Sequence, residues 1–339
     1  MSSGHGEWEQ SFFLGDDPLV EAQAWSSAVG LRDKFATDTG IAATGNFGAW
    51  VMQPVGGTLF IGAGNSPGNE DGAAVLSSAD GVTIVSGRVL NEQGVHDAHV
   101  QGSDLWVCGT DPSDDWTLGN LYHRDAGGAW TKLRTLPLTI HALGCWHDGA
   151  ALWVCGGMHT GDSATWKGRI LKSLDSGATW STVDVNNYRL YDVIGFDGKL
   201  YVVGHDFTGV YSQDLHSSVD GVAWSKVAGV SPAIKARLAL HGTLLVGVQS
   251  SLAGLFTVSA GGAVTLRATS FTLADHWNVL DSDGVYLYAL DVTGGVWRTT
   301  DFVTWTLYAR VAGAISIKWW AGHGLMIGDM GTAARVWLA

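Results

Sequence analysis

The sequence predicts an all-β fold, a seven-bladed β-propeller of four-stranded antiparallel blades, and three observations predict it. A short strand phrase recurs seven times along the 339 residues. A tight-turn phrase ending in Trp falls between those strands. The composition is that of strands and turns, with 47 Gly and 17 Trp, 46% hydrophobic residues and only 15% charged ones, against about 25% charged in ordinary domains.

The strand phrase is a Gly- or Asp-containing turn followed by a short apolar run. It reads GGTLFIG from Gly56, GSDLWVCG from Gly102, DGAALWVCG from Asp148 and DGKLYVVG from Asp197. It returns as HGTLLVG from His241, DGVYLYA from Asp283 and HGLMIG from His323. Measured between Leu59, Leu105, Leu152, Leu200, Leu244, Tyr286 and Leu325, the steps are 46, 47, 48, 44, 42 and 39 residues. That period suits four short strands per blade.

The turn phrase reads SLDSGATW at Ser173–Trp180, SSVDGVAW at Ser217–Trp224, TTDFVTW at Thr299–Trp305 and HRDAGGAW at His123–Trp130. Degenerate copies are SSADGVTI at Ser77–Ile84 and SAGGAVTL at Ser259–Leu266. Asp accepts hydrogen bonds from the turn backbone, Gly supplies a positive φ, and Trp buries its ring between blades. On this reading Asp80, Asp125, Asp175, Asp220 and Asp301 are structural. The pattern S/T-x-D-x-G-x-T-W resembles the Asp-box (BNR) repeat of the sialidase-like propeller superfamily, which implies the same ring-shaped fold and places these turns opposite the usual binding face.

Closure is also legible. Outer strands follow the boxes, as AWTKLRT from Ala129 or TWSTVDV from Thr179, yet the last blade stops at RVWLA. The missing strand is expected at AWSSAVG, residues 24–30, so the N-terminal strand completes the C-terminal blade and removes two open sheet edges. Residues 31–45 read as an insertion loop, the blades run from about 46 to 339, and the whole of 1–339 is one domain.

Formal charge is −13, which disfavours nucleic acid and anionic membrane surfaces as partners. No apolar run approaches the ~20 residues of a membrane helix, and MSSGHGEWEQ lacks the basic and apolar regions of a secretory signal. Three cysteines do not make a disulfide scaffold, although a Cys108–Cys155 bridge stays open.

Candidate chemistry gathers where the innermost strands begin: VHDAHVQ from Val95, IHALGCW from Ile140, LYDVIGF from Leu190, ARLALHG from Ala236 and DHWNVLD from Asp275. His96, Asp97, His141, Tyr191, Arg237, His276 and Trp277 are expected around one mouth of the channel, with Phe47 and Ser316 at the same level. A solvated channel and a ligand site are both open readings of this ring. Long loops on that face carry Glu70, Asp71, Asp111, Asp114, Asp115 and Asp162 with Trp116 and Trp166. Such Trp can stack on sugars, and Asp111, Asp114 and Asp115 are candidate Ca²⁺ ligands. No cofactor is otherwise expected.

The resemblance to sialidases implies an Arg triad, an F/Y-R-I-P motif, a Tyr nucleophile with its Glu, and an Asp acid. This sequence offers only GRIL at Gly168–Leu171, and no Glu follows Glu92, so exo-sialidase activity is not expected. The expected function is a non-enzymatic binding or assembly propeller that recognises a glycan or protein partner at a cell surface or within a phage virion, as a tail or appendage protein, with an extracellular or virion location. The alternative is a glycan-active enzyme, either a polysaccharide lyase using His141, Tyr191 and Arg237 or a glycoside hydrolase pairing Asp97 with Asp192.

Overall fold

The computed structural model describes residues 23–24, 47–64, 72–80, 83–114, 117–158, 166–207, 211–233, 235–330 and 335–339. Every regular element among them is a β-strand. The first strand, β1 (Gln23–Ala24), precedes a four-stranded antiparallel sheet of β2 (Gly48–Val55), β3 (Thr58–Gly64), β4 (Ala73–Ser78) and β5 (Val85–Leu90). Next come β6 (Glu92–Gln101), β7 (Asp104–Pro112), β8 (Leu118–Arg124), β9 (Trp130–Pro137), β10 (Thr139–His147), β11 (Leu152–Met158), β12 (Lys167–Ser173) and β13 (Ser181–Asn186). Three further four-stranded sheets follow. They are β14 (Arg189–Phe196) to β17 (Ser225–Lys226), β18 (Ala239–His241) to β21 (Val264–Ala268), and β22 (Leu280–Ser282) to β25 (Thr306–Arg310). The last sheet has the order β1, β28 (Val336–Leu338), β27 (Gly324–Asp329), β26 (Ala314–Trp320).

The expectation of seven separate blades is therefore corrected: the described strands form five separate four-stranded blades and one eight-stranded sheet, β6–β13. The join is the bridge from His141 on β10 to Thr110 on β7, reinforced by the Thr110 hydroxyl donating to the Ala142 carbonyl at 3.3 Å. The repeat counts sequence units, and it carries no information on whether the edge strands of two units meet.

The recurring apolar phrase is the second strand of each unit. Strands such as β11 (LWVCGGM) are buried almost throughout because both faces are covered by neighbouring units, so they read as continuous apolar runs. Outer strands such as β13 (STVDVN) are mostly polar and are exposed or half-buried at every position but the last. Cores lie between adjacent sheets. Tyr201, Val203 and Leu215 of one meet Leu245, Phe256 and Val258 of the next. Phe47, Met52, Ile61 and Leu76 pack on Trp320, Met326 and Val336, bringing the C-terminal sheet against the first.

Gln23 pairs with Leu338 and Ala24 with Trp337, so the N-terminal strand adds to the C-terminal sheet. The rest of the expected closing strand, 25–30, and the insertion 31–45 lie outside the described residues. All three cysteines are free and buried, so Cys108 and Cys155 are not bridged.

The box turns follow from their sequence. Ser173 Oγ donates to Asp175 Oδ1 at 2.7 Å, and the Thr179 amide and hydroxyl donate to the same carboxylate at 2.8 and 2.5 Å. These bonds, the Thr179 hydroxyl first, pull Asp175 down to about 2. Gly177 turns at φ 87°, and Trp180 lies across the neighbouring outer strand, donating to Thr135 Oγ1 at 2.9 Å. Asp80, Asp220 and Asp301 accept the same Ser or Thr hydroxyl and turn-amide bonds, and Asp125 takes the turn amide of Ala129.

Inner strands share one irregularity. Register shifts fall between Ala49 and Val51, Val95 and Asp97, Ala142 and Gly144, Leu190 and Asp192, and Ala314 and Ser316. A bulge re-aims side chains, and here it sends Asp97 and Asp192 toward the next inner strand, where they accept the Cys145 and Leu238 amides at 2.7 Å each.

Gly156 on β11 has no room for a side chain, because a Cβ there would run into the carbonyl oxygen of His141. Gly156→Ala is expected to cost about 2 kcal/mol through overpacking, read as a lowered urea midpoint with an unchanged slope. Deleting residues 1–30, which removes β1, is expected to lower the melting temperature; an unchanged value would show that the closing pair carries no stability.

Candidate functional site

The expected ring of polar residues at the channel mouth is closed rather than open. Arg237 lies in the chain just before β18 and is only 5% exposed. Its Nη1 donates to the Tyr191 carbonyl at 2.7 Å and to Asp192 Oδ1 at 2.9 Å, and its Nη2 donates to the Leu143 carbonyl. Asp97 Oδ2 stands 3.6 Å from the same Nη1. One guanidinium thus ties together β6, β10 and β14. Burial opposes its charge, but Asp97 and Asp192 outweigh that and hold Arg237 above its ordinary range. Asn278 adds a second tie, donating to the Trp50 carbonyl at 2.7 Å and the His96 carbonyl at 3.3 Å.

Aromatic rings cover these ties. His96 stacks on Trp277 at 4.3 Å, Tyr191 meets Trp277 at 5.9 Å, and Trp50 touches His96 and His276 edge-on at 5.9 and 6.5 Å. Burial, aided by the Arg237 charge, brings His96 down to about 3, and burial lifts Tyr191 to about 12. His276 is lowered mainly by burial. Phe47 and Ser316 are fully buried, Ser316 donating to the Ala49 carbonyl at 2.6 Å.

His141 stands apart from that plug. Its Nε2 lies 3.0 Å from Asp111 Oδ1, and Asp111 holds a left-handed φ of 55° in β7. Such strain in a non-glycine residue concentrates at functional positions. Beside the pair, Trp166 stacks on Tyr188 at 5.2 Å, the Arg189 guanidinium lies 4.1 Å from the Trp166 ring centre, and His205 meets Tyr188 edge-on at 5.1 Å. Trp166, Tyr188, Arg189 and His141 are all half-buried. The sequence signals Trp166 and His141 but not Tyr188 or His205. Tyr188 sits in the bend just before β14 and Arg189 is the first residue of that strand, where only the fold brings them to Trp166.

A second cluster lies at the start of β6. Glu92, the one glutamate among the described residues, is fully buried, and Asn120 and Tyr122 donate to its Oε1 at 2.5 and 3.0 Å. Burial dominates and raises its carboxyl to about 8. Asp114 accepts Lys132 at 2.5 Å and has Arg134 at 3.4 Å, so its candidate ligand oxygens already face cations. Trp116, Asp115, Glu70, Asp71 and Asp162 lie outside the described residues.

Below Arg237, toward the C-terminal ends of the inner strands, the axis opens into a cavity of about 290 Å³. Gln53, Asp97, Trp146, Ile194, Leu240 and Lys318 are among its walls.

No family model and no curated protein matches the sequence. Among solved structures the chain is similar to a streptogramin B lyase, with a TM-score of 0.64 and 11% identity over 88% of this chain and 95% of that one. It is also similar to virginiamycin B lyase from Staphylococcus aureus, at a TM-score of 0.62 and 11% identity over 88% of this chain and 97% of that one. A catalytically inactive form of that lyase with quinupristin gives 0.61, at the same identity and coverage. Likeness at this identity shows the fold alone, and the fold is a β-propeller. It does not reach the sialidase-like family that the box motif suggests.

Removing the guanidinium leaves the buried Asp192 carboxylate and the half-buried Asp97 carboxylate without it. Arg237→Met is expected to cost about 3–5 kcal/mol, measured by urea denaturation. Glu92 gives a pH signature. Its folded value of about 8 lies above the reference 4.5, so folding favours the protonated form. Its contribution is complete below the unfolded pKa and is lost as pH rises through about 8. The melting temperature of the native chain is expected to fall by several degrees across that window, and Glu92→Gln to flatten the fall.

Proposed function

We propose that the chain is a non-enzymatic binding propeller that recognises a glycan through the surface formed by Trp166, Tyr188, Arg189, His141 and Asp111. The observation that carries this reading is the half-buried Trp166–Tyr188 stack with the Arg189 guanidinium against it. Aromatic faces accept the C–H faces of sugar rings, while the adjoining imidazole, carboxylate and guanidinium offer donors and acceptors to hydroxyls. The net charge of −13 disfavours polyanionic chains, so a neutral glycan suits the surface best. A cell surface or a virion appendage is the setting proposed for this role. The alternative enzymatic reading draws no support from the geometry around Tyr191 and Arg237, both of which are buried in the plug.

A glycan array followed by titration calorimetry tests the proposal. Trp166→Ala and Tyr188→Ala are each expected to weaken binding at least about tenfold, or 1.4 kcal/mol, with melting temperatures near that of the native chain. Native affinity in Trp166→Ala, or cleavage products from the bound glycan, would overturn it.

A further inference from the structure

The axial cavity is a separate feature, on the other side of the Arg237 plug from the aromatic surface. Its floor is charged. Asp97, Asp192 and Asp281 line it against Arg237 and Lys318, and His99, also in the wall, is held neutral by burial, at about 4. Carboxylates therefore exceed cations by one.

The oxygens can be followed individually. Asp192 gives Oδ1 to Arg237 and Oδ2 to the Leu238 amide. Asp281 gives Oδ1 to Lys318 at 3.3 Å and Oδ2 to the Trp319 amide at 2.5 Å. Asp97 gives only Oδ2, to the Cys145 amide at 2.7 Å and to Arg237 at 3.6 Å. Its Oδ1 takes no hydrogen bond among the described residues, and Asp97 lines the cavity. Asp97 is half-buried, so its Oδ1 is open to a cationic donor that enters the cavity.

The walls change character along the axis. Val100, Trp146, Ile194 and Leu240 line the cavity alongside this acidic floor, and Leu240 is 39% exposed. The Trp146 ring, packed at 4.5 Å against His99, adds an aromatic wall. Aromatic rings attract ammonium groups as well as alkyl chains.

We propose that this cavity binds a primary alkylammonium group, its nitrogen on Asp97 Oδ1 and its chain along Trp146, Ile194 and Leu240. The cavity volume suits a single short chain. Both a free alkylamine and a lysyl side chain of another protein carry this chemistry.

The test is titration calorimetry of the full chain with n-pentylammonium, n-pentanol and N-acetyl-lysine methylamide. Saturable binding of n-pentylammonium, at least about tenfold tighter than n-pentanol, is the expected result. Asp97→Asn should abolish that preference. Lys318→Met removes the competing wall cation and should tighten n-pentylammonium several-fold, which keeps the proposal testable if Asp97→Asn fails to fold. Tighter binding of the lysyl probe than of n-pentylammonium identifies a protein source, and the reverse order a free amine. Equal affinity for ammonium and alcohol, no saturable binding of either amine, or an unchanged Lys318→Met affinity would overturn the proposal.

Discussion

The centre of this molecule is organised by one buried guanidinium. A ring of radial sheets must settle how its innermost strands meet at the axis, where bridges between neighbouring units are as sparse as His141 to Thr110 and Asn278 to Ser316. Arg237 does so by donating to the carbonyls of Leu143 and Tyr191 and to the carboxylate of Asp192, with Asp97 at 3.6 Å. The planar fork of an arginine can reach several acceptors at once, which an ammonium cannot. Around it, Asp97 and Asp192 also cap backbone amides of the next inner strand, so the same carboxylates neutralise the guanidinium and link neighbouring sheets.

That arrangement separates the axis into two environments. On one side His96, Trp277, Tyr191 and Trp50 fill the expected mouth, and burial of His96 and Tyr191 suppresses the protonation chemistry that those two residue types offer. On the other side the cavity remains, with Asp97 shared between plug and floor. The surface that keeps half-buried polar and aromatic groups is displaced outward, onto His141, Asp111, Trp166, Tyr188 and Arg189. Single inner strands thus serve both: β14 supplies Tyr191 to the plug and Arg189 to the outer surface, and β10 supplies the Leu143 carbonyl to the plug and His141 to the outer surface.

Much of the fold was legible because its signals are local. The repeated strand phrase marks the second strand of every unit, and Asp175, Asp220 and Asp301 form the turns their motif implies. The N-terminal strand was expected at 24–30, and the described pairing involves Gln23 and Ala24. The separate count of blades was not legible, because Thr110 and His141 bridge two units through an edge contact that no spacing encodes. Glu92 was visible as the last glutamate, yet its burial against Asn120 and Tyr122 depends on residues nearly thirty positions away.

The sequence by itself determined the strand-and-turn vocabulary: apolar runs bounded by Gly and Asp turns, each specified by neighbours a few residues apart. It also determined which side chains stand near the starts of the inner strands. Only the tertiary structure decided which of those become plug and which remain accessible. Hydrogen bonding and burial at the axis depend on residues far apart in the chain, and Arg237 meets Leu143 and Asp97 across sequence separations that no local pattern constrains.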